Sequence, residues 1–177
     1  MFLSIQAAIS HSLGIAPFTM SRVKQNNKYG IGMEYHFEYI FPSKSGFFFG
    51  ASIGGGFTLG YRSIYNAFAL KTNKNNVILG GNILPSMILG YNFNQHCSMR
   101  ARISPITLFG VKQEGEDIWG AGVRAGLSLH YDTLYLEANY HTPLYWASQN
   151  EHRGNVLPFQ ILIGFTASTK EFVKSIK

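Results

Sequence analysis

Charge is scarce in this chain. Only 14% of its 177 residues are Asp, Glu, Lys or Arg, against roughly 25% in ordinary soluble proteins. Aromatic residues make up 15%, and the two figures together exclude intrinsic disorder, which needs many charges and few rings. Cysteine is nearly absent: Cys97 stands alone, which excludes a disulfide scaffold. Long apolar runs are missing as well. A membrane helix needs about 20 predominantly apolar residues in succession. The longest uncharged stretch, Asn75 to Met99, is interrupted by Asn82, Pro85, Asn92, Asn94, Gln95 and His96. What the chain has instead is 19 Gly, 14 Phe and 10 Tyr, at a mean hydropathy of +0.01. The length is that of one domain.

The pattern that organises these residues has a period of two. From Tyr29 to Phe41 the odd positions read Tyr, Ile, Met, Tyr, Phe, Tyr, Phe, while the even ones read Gly, Gly, Glu34, His36, Glu38, Ile. A strand sends successive side chains to opposite faces, so one face is apolar and the other small or charged. A helix would scatter Glu34, His36 and Glu38 around its circumference. The same alternation predicts strands over Leu3–Ile9, Phe47–Tyr61, Val77–Phe93, Met99–Val111, Trp119–Tyr131, Leu134–Trp146 and Leu157–Phe165. With Tyr29–Phe41 that makes eight. Most reach the 9–11 residues that a tilted membrane strand requires. Pro85 and Pro158 mark a bulge or a strand end.

The connections alternate in length. Short ones fall at Pro42–Gly46, Asn94–His96 and Asp132–Thr133; long ones are expected at Ser10–Lys28, Arg62–Asn76, Lys112–Ile118 and Ala147–Val156. Short turns at one rim and long loops at the other are the layout of an outer-membrane barrel. The prediction is an all-β fold: an eight-stranded antiparallel up-and-down transmembrane β-barrel over residues 1–167. Residues 168–177 read as a periplasmic tail or a cloning remnant, and even strand number puts both termini in the periplasm. Met1 to Thr19 lacks a basic leader segment, so the chain reads as mature or trimmed.

Charge decides which face is wet. A soluble barrel turns its apolar face inward and its polar face to water. Here the apolar face carries no charge between strand ends. The polar face carries Glu34, Glu38 and Glu137 against Arg100, Arg102 and Arg124, balanced in sign. That suits a closed polar interior, which in an eight-stranded barrel is just wide enough for side chains to fill. The expected lumen network is Glu34, His36, Glu38, Arg100, Arg102, Arg124, His130, Glu137, Asn139, His141 and Gln160. Its members must pair, since isolated buried ions are very costly. Pairing Phe41 with Phe47 across the first short turn sets Glu38 opposite Gly50, His36 opposite Ser52 and Glu34 opposite Gly54. Pairing Phe93 with Cys97 sets Arg100 opposite Gly90. A two-residue turn at Asp132–Thr133 sets Arg124 opposite His141, with Glu137 diagonal to His130.

Aromatic residues gather where interfacial girdles belong. Tyr39, Phe41, Phe47, Phe49, Tyr91, Phe93, Tyr131 and Phe165 lie toward the short-turn rim, and Tyr29, Tyr61, Phe109, Trp119 and Trp146 toward the other. The chain resembles, in this architecture, the small eight-stranded outer-membrane barrels of Gram-negative-type bacteria: the OmpA transmembrane domain, OmpX and the Ail adhesins. The resemblance covers about residues 2–167. It implies insertion by the outer-membrane assembly machinery, a monomer, and roles in adhesion, serum resistance or envelope integrity. Those proteins commonly end at an aromatic residue closing the last strand; Phe165 fits, but Thr166–Lys177 follow it.

No catalytic, metal or cofactor site is expected. Lipid A deacylase barrels use a His-x-Ser pair near the outer end of a strand. The one His-x-Ser here, His96-Cys97-Ser98, falls at a short turn, and His141 is followed by Thr142 and Pro143. Ser10, His11 and Ser12, or Ser148, Glu151 and His152, read as solvated loop clusters. Three arginines in the same interior favour ion pairs over a metal at Glu34, His36 and Glu38. Gly54-Gly55-Gly56 lies within a strand and opens no helix, so it is no phosphate loop.

The net charge of +6 concentrates in the expected outer loops, where Arg22, Lys24, Lys28, Arg62, Lys71, Lys74, Lys112 and Arg153 outnumber the acids. A basic outer rim attracts lipopolysaccharide or other glycolipid head groups, or sulfated host matrix glycans. Nucleic acid is not an expected partner, because no basic–aromatic stripe accompanies the charge. The expected function is therefore a non-enzymatic outer-membrane protein, structural or adhesin-like, acting through extracellular loops. The alternatives are a narrow, porin-like gated channel for small solutes and a lipid A-modifying enzyme.

Overall fold

The computed structural model describes residues 8–23, 26–42, 45–61, 77–113, 116–148 and 154–169. Eight strands run β1 Ala8–Val23, β2 Asn26–Pro42, β3 Phe47–Tyr61, β4 Val77–Asn92, β5 Cys97–Gln113, β6 Glu116–Tyr131, β7 Leu134–Ser148 and β8 Gly154–Thr169. Each pairs antiparallel with its neighbours in sequence, and β8 closes on β1. Among the described residues there is no helix.

The stagger fixes the shape. A row of paired residues from Ile9 on β1 passes Tyr39, Ala51, Met87, Ile103, Ala125, Tyr140 and Phe159 and returns to β1 at Met20. Discounting one bulged residue, the climb is about ten residues per circuit. For eight strands about 4.8 Å apart, that tilts them roughly 40° from the barrel axis.

Side chains are sorted as the alternation requires. Ile15, Phe57, Met87, Leu89, Leu134, Leu136 and Phe165 point outward and are exposed, whereas Ser12, Glu34, His36, Glu38 and Glu137 point inward and are almost fully covered. The outer face is apolar and the interior polar. At the short-turn rim Tyr39, Phe41 and Phe49 form one chain of ring contacts, and Phe47, Tyr91 and Phe93 another, with centroids 4.7–5.4 Å apart. Near the opposite rim Trp119 is 65% exposed; the side chains of Tyr61, Phe109 and Trp146 lie outside the described residues.

The prolines explain the breaks in the ladder. A proline has no N–H for a partner strand and is confined to bulges, ends and edges. Pro17 sits in the shift between Ala16 and Thr19 on β1, and Pro105 in the shift between Ser104 and Thr107 on β5. Pro85 faces that second bulge from β4, and Pro158 lies in the irregular part of β8 opposite Met20–Arg22. Pro143 adjoins the shift on β7, and Pro42 ends β2.

Several sequence expectations need correction. The first strand is Ala8–Val23, where the alternation predicts Leu3–Ile9; residues 1–7 lie outside the described ones. Ser10–Lys28 is therefore no loop: β1 and β2 are separated by residues 24–25 only, with Val23 paired to Asn26. Lys112–Ile118 likewise narrows to residues 114–115, with Gln113 paired to Glu116, and β7 and β8 extend into the expected loop at Ala147–Val156. β8 continues to Thr169, two residues past the expected barrel end. The strands are 15–17 residues long, about 40 Å along the axis at that tilt, against an apolar band about 25 Å tall. The charged residues of these sequences gather at the strand ends, so a charged segment there reads as a loop although it pairs.

The first short hairpin is also re-registered. Phe41 pairs with Phe49, not Phe47, so Glu38 faces Ser52, His36 faces Gly54 and Glu34 faces Gly56. The turn keeps its expected length of five residues but moves one position along the chain, because Pro42 closes the ladder against Phe48, and Gly46 turns the chain at φ +83°. A shift of two keeps every side chain on its face. The other two expected registers are observed: Gly90 pairs with Arg100, and Tyr131 pairs with Leu134, setting Arg124 opposite His141.

Candidate functional site

The lumen holds the chain's densest chemistry. Glu34 and Glu38 come from β2, and Arg100, Arg102, Arg124 and Glu137 come from β5, β6 and β7 on the facing wall. They meet in a ladder of alternating sign. Arg100 Nη1 donates to Glu38 Oε2 at 2.9 Å, and Arg102 Nη2 donates to Glu38 Oε1 at 2.5 Å. The other amino group of Arg102 donates to both oxygens of Glu137, at 2.9 and 3.1 Å. Arg124 lies 4.0 Å from Glu137 Oε1 and grips Glu34 with two parallel bonds of 2.7 and 2.8 Å. His36 Nε2 closes the series 3.3 Å from Glu34.

Secondary contacts hold the carboxylates in place. Ser12 Oγ donates to Glu38 at 3.0 Å and Asn82 Nδ2 to Glu34 at 3.4 Å. Bidentate guanidinium pairing is the strongest geometry available to a buried carboxylate, and a buried charge is tolerated only when so paired. Glu34 and Glu38 are 1% and 0% exposed, so the pairing is obligatory. Because the two carboxylates turn to different arginines, Glu34, His36 and Glu38 do not converge as a metal site would require.

The remaining members of the expected network are also inside. His130, Asn139, His141 and Gln160 are buried. His130 Nε2 lies 2.9 Å from Ser128 Oγ, and the ring stacks on Tyr135 at 5.2 Å. Asn139 and Gln160 face each other across β7 and β8.

Apolar residues complete the plug, and the alternation argument overlooks them. Phe48, Leu84, Ile88, Tyr135 and Leu162 are all inward and nearly fully buried. Their signal is present in the pattern: each has the parity of a lumen position. Phe48 lies over Gly90 where any Cβ would strike its ring, and Arg100 sits 5.6 Å from the ring centroid. Tyr135, Leu162 and Ala16 form a second apolar cluster.

Other candidates fall differently from expectation. Ser10, His11 and Ser12 belong to β1: the two serines are lumen residues, and His11 points outward, with Nδ1 2.5 Å from the Tyr35 hydroxyl. His96 and Asp132 tie two short turns together at 2.6 Å, and both are exposed. Of the basic group, Arg22, Lys28 and Lys112 lie within strands instead of loops. Lys24, Arg62, Lys71, Lys74 and Arg153 lie outside the described residues, as do Glu151 and His152. Among the described residues no three His, Cys, Asp or Glu side chains cluster to hold a metal.

Neither a protein-family model nor a curated protein sequence matches this chain.

Proposed function

We propose that the protein is an outer-membrane barrel with a closed lumen, serving as a structural or surface-binding component of a bacterial envelope. The observation that carries this reading is the inside-out sorting: exposed apolar strands around an interior of paired ions. In water that arrangement would leave a large apolar surface wet; in a bilayer it satisfies every strand. The same ladder, with Phe48, Leu84, Ile88 and Leu162, fills the cross-section, so the barrel acts as a rigid mount for what its rims present. Insertion is tested by gel migration in detergent: the folded band shifts on heating. A protein that stays dispersed with detergent removed refutes it. For the binding role, barrels with residues 62–76 and 149–153 deleted lose adhesion to host matrix; undiminished adhesion removes those segments as the binding surface.

A second reading is a narrow gated conduit, favoured by Glu137, which Arg102 and Arg124 approach from two sides. An exchange of partners there would open a path. Planar-bilayer recording tests it: absence of conductance both in wild type and in Glu34→Ala/Arg102→Ala sinks the conduit.

A further inference from the structure

A polar pair is set into the apolar outer surface. His11 on β1 points outward, half-buried, with its Nδ1 2.5 Å from the hydroxyl of Tyr35 on β2. Its ring meets that of Phe37 edge-on at 5.2 Å and that of Tyr35 at 6.0 Å. Leu13 and Ile15, next along the outer face of β1, are exposed and apolar. His11 stands opposite Phe37 in the β1–β2 register. Phe37 and Tyr35 lie four and six residues above Phe41 of the short-turn girdle, about 10 and 15 Å along the axis at about 2.5 Å per tilted residue. An apolar band about 25 Å tall therefore holds this pair near its middle.

The pair has one polar hydrogen too many. A neutral imidazole carries one N–H and a phenol one O–H, and the single contact between them uses one of the two. If Tyr35 donates to Nδ1, the Nε2–H of His11 is left over. If Nδ1–H donates to Tyr35, the phenol O–H is left over and Nε2 is a bare acceptor. Among the described residues neither side chain makes another hydrogen bond. Acyl chains offer no acceptor at that depth, and a polar group left unpaired in hydrocarbon is costly. The barrel is closed, so no strand edge is open on this face and a partner must be met by side chains.

We propose that the outer face around His11 and Tyr35 is an interface with a second copy of this chain in the same membrane. Copies inserted the same way round are related by a two-fold axis along the bilayer normal, and that axis sets each residue against its own counterpart at equal depth. A second copy therefore brings the missing acceptor to the right level. Each Tyr35 O–H donates to the Nδ1 of its own His11, and each His11 Nε2–H donates to the Tyr35 oxygen of the other copy. The four groups close a ring in which every polar hydrogen is used, and the opposite tautomer reverses every bond. Leu13 and Ile15 pack around the ring. The proposal rests on membrane insertion, which the heat-shift assay tests separately: a barrel that inserts but stays monomeric overturns this interface alone.

The test uses the full chain in phosphatidylethanolamine–phosphatidylglycerol vesicles. Donor and acceptor fluorophores are attached to separate portions at Cys97, the single cysteine, and energy transfer is followed as added lipid dilutes the protein. Association is scored on the heat-shifted fraction alone, so that a loss of folding does not count as a loss of association. Wild type is expected to associate. His11→Leu, and Tyr35→Phe, which keeps the ring and removes only its oxygen, are each expected to associate about eightfold more weakly or worse, as two hydrogen bonds lost in a bilayer imply. Wild-type transfer no higher than random encounter gives, or equal association by either variant, overturns the interface. Cross-linking locates the face. In a Cys97→Ser background, Leu13→Cys is expected to form disulfide-linked dimers on oxidation with copper phenanthroline, and Leu129→Cys, outward on β6, to form none. Equal yields at the two positions overturn it as well.

Discussion

Arg124 on β6 reaches across the barrel and holds Glu34 on β2 with two hydrogen bonds of 2.7 and 2.8 Å. These residues are 90 positions apart in sequence and stand on facing walls, so their contact is a strut. Arg102 makes the equivalent crossing to Glu38, while also binding Glu137 beside it.

Removing Glu34 strips Arg124 of its bidentate partner and leaves it buried with only the 4.0 Å contact to Glu137. Glu34→Ala is expected to destabilise the barrel by about 3–5 kcal/mol. The double variant Glu34→Leu/Arg124→Leu removes both charges and recovers most of that loss. Urea unfolding from lipid vesicles, followed by the heat-dependent gel shift, measures both. A single variant within about 1 kcal/mol of wild type would contradict the strut.

Glycines inside and outside the barrel should respond differently. A Cβ at Gly54 would fall on the ring of His36, which is fully buried and cannot swing away. Gly54→Ala is expected to cost about 1–3 kcal/mol by overpacking. At Gly81 the nearest neighbour of a new Cβ is 3.7 Å away, so Gly81→Ala stays within about 0.5 kcal/mol. Adding His36→Ala to Gly54→Ala restores part of the loss. Equal effects of the two glycine substitutions would show that His36 does not fill the space over Gly54.

The outer face carries its own prediction. Ile103 on β5 is outward and 46% exposed, six residues above the short turn and so near the middle of the apolar band. Ile103→Arg is expected to cost about 2–4 kcal/mol in a bilayer and to lower the heat-shifted fraction in the membrane. An unchanged fraction would mean that this face does not meet lipid.

Strands β2 to β8 and their faces are legible in the sequence because the face period is two and the interior is polar. The boundaries at the projecting ends are not. Lys112, Glu114, Glu116 and Asp117 look like a loop, yet Lys112 and Asp117 are paired strand residues. β1 is hidden for another reason. His11 breaks its apolar face, and the side chains it meets there, Tyr35 and Phe37, belong to another strand. Within the lumen, which residues point inward follows from parity, but which acid meets which arginine depends on the stagger around the barrel.

The turn at Asp132–Thr133 separates backbone demand from side-chain pairing. Asp132 has φ +51°, a left-handed conformation that costs most residues about 1–2 kcal/mol. Its carboxylate also bonds His96 at 2.6 Å, in a site more than half exposed, and its N–H donates to the His96 carbonyl at 2.7 Å. An exposed ion pair contributes only about 0.2–1 kcal/mol. Asp132→Gly relieves the backbone and loses the pair, so stability is expected to stay within about 1 kcal/mol of wild type. Asp132→Val loses the pair and meets the full conformational penalty, so it is expected to be about 1–3 kcal/mol less stable and slower to fold into vesicles. Folding of both variants, timed by appearance of the heat-shifted band, checks the order: a valine variant as fast and as stable as the glycine one would show that the positive φ places no demand on residue 132.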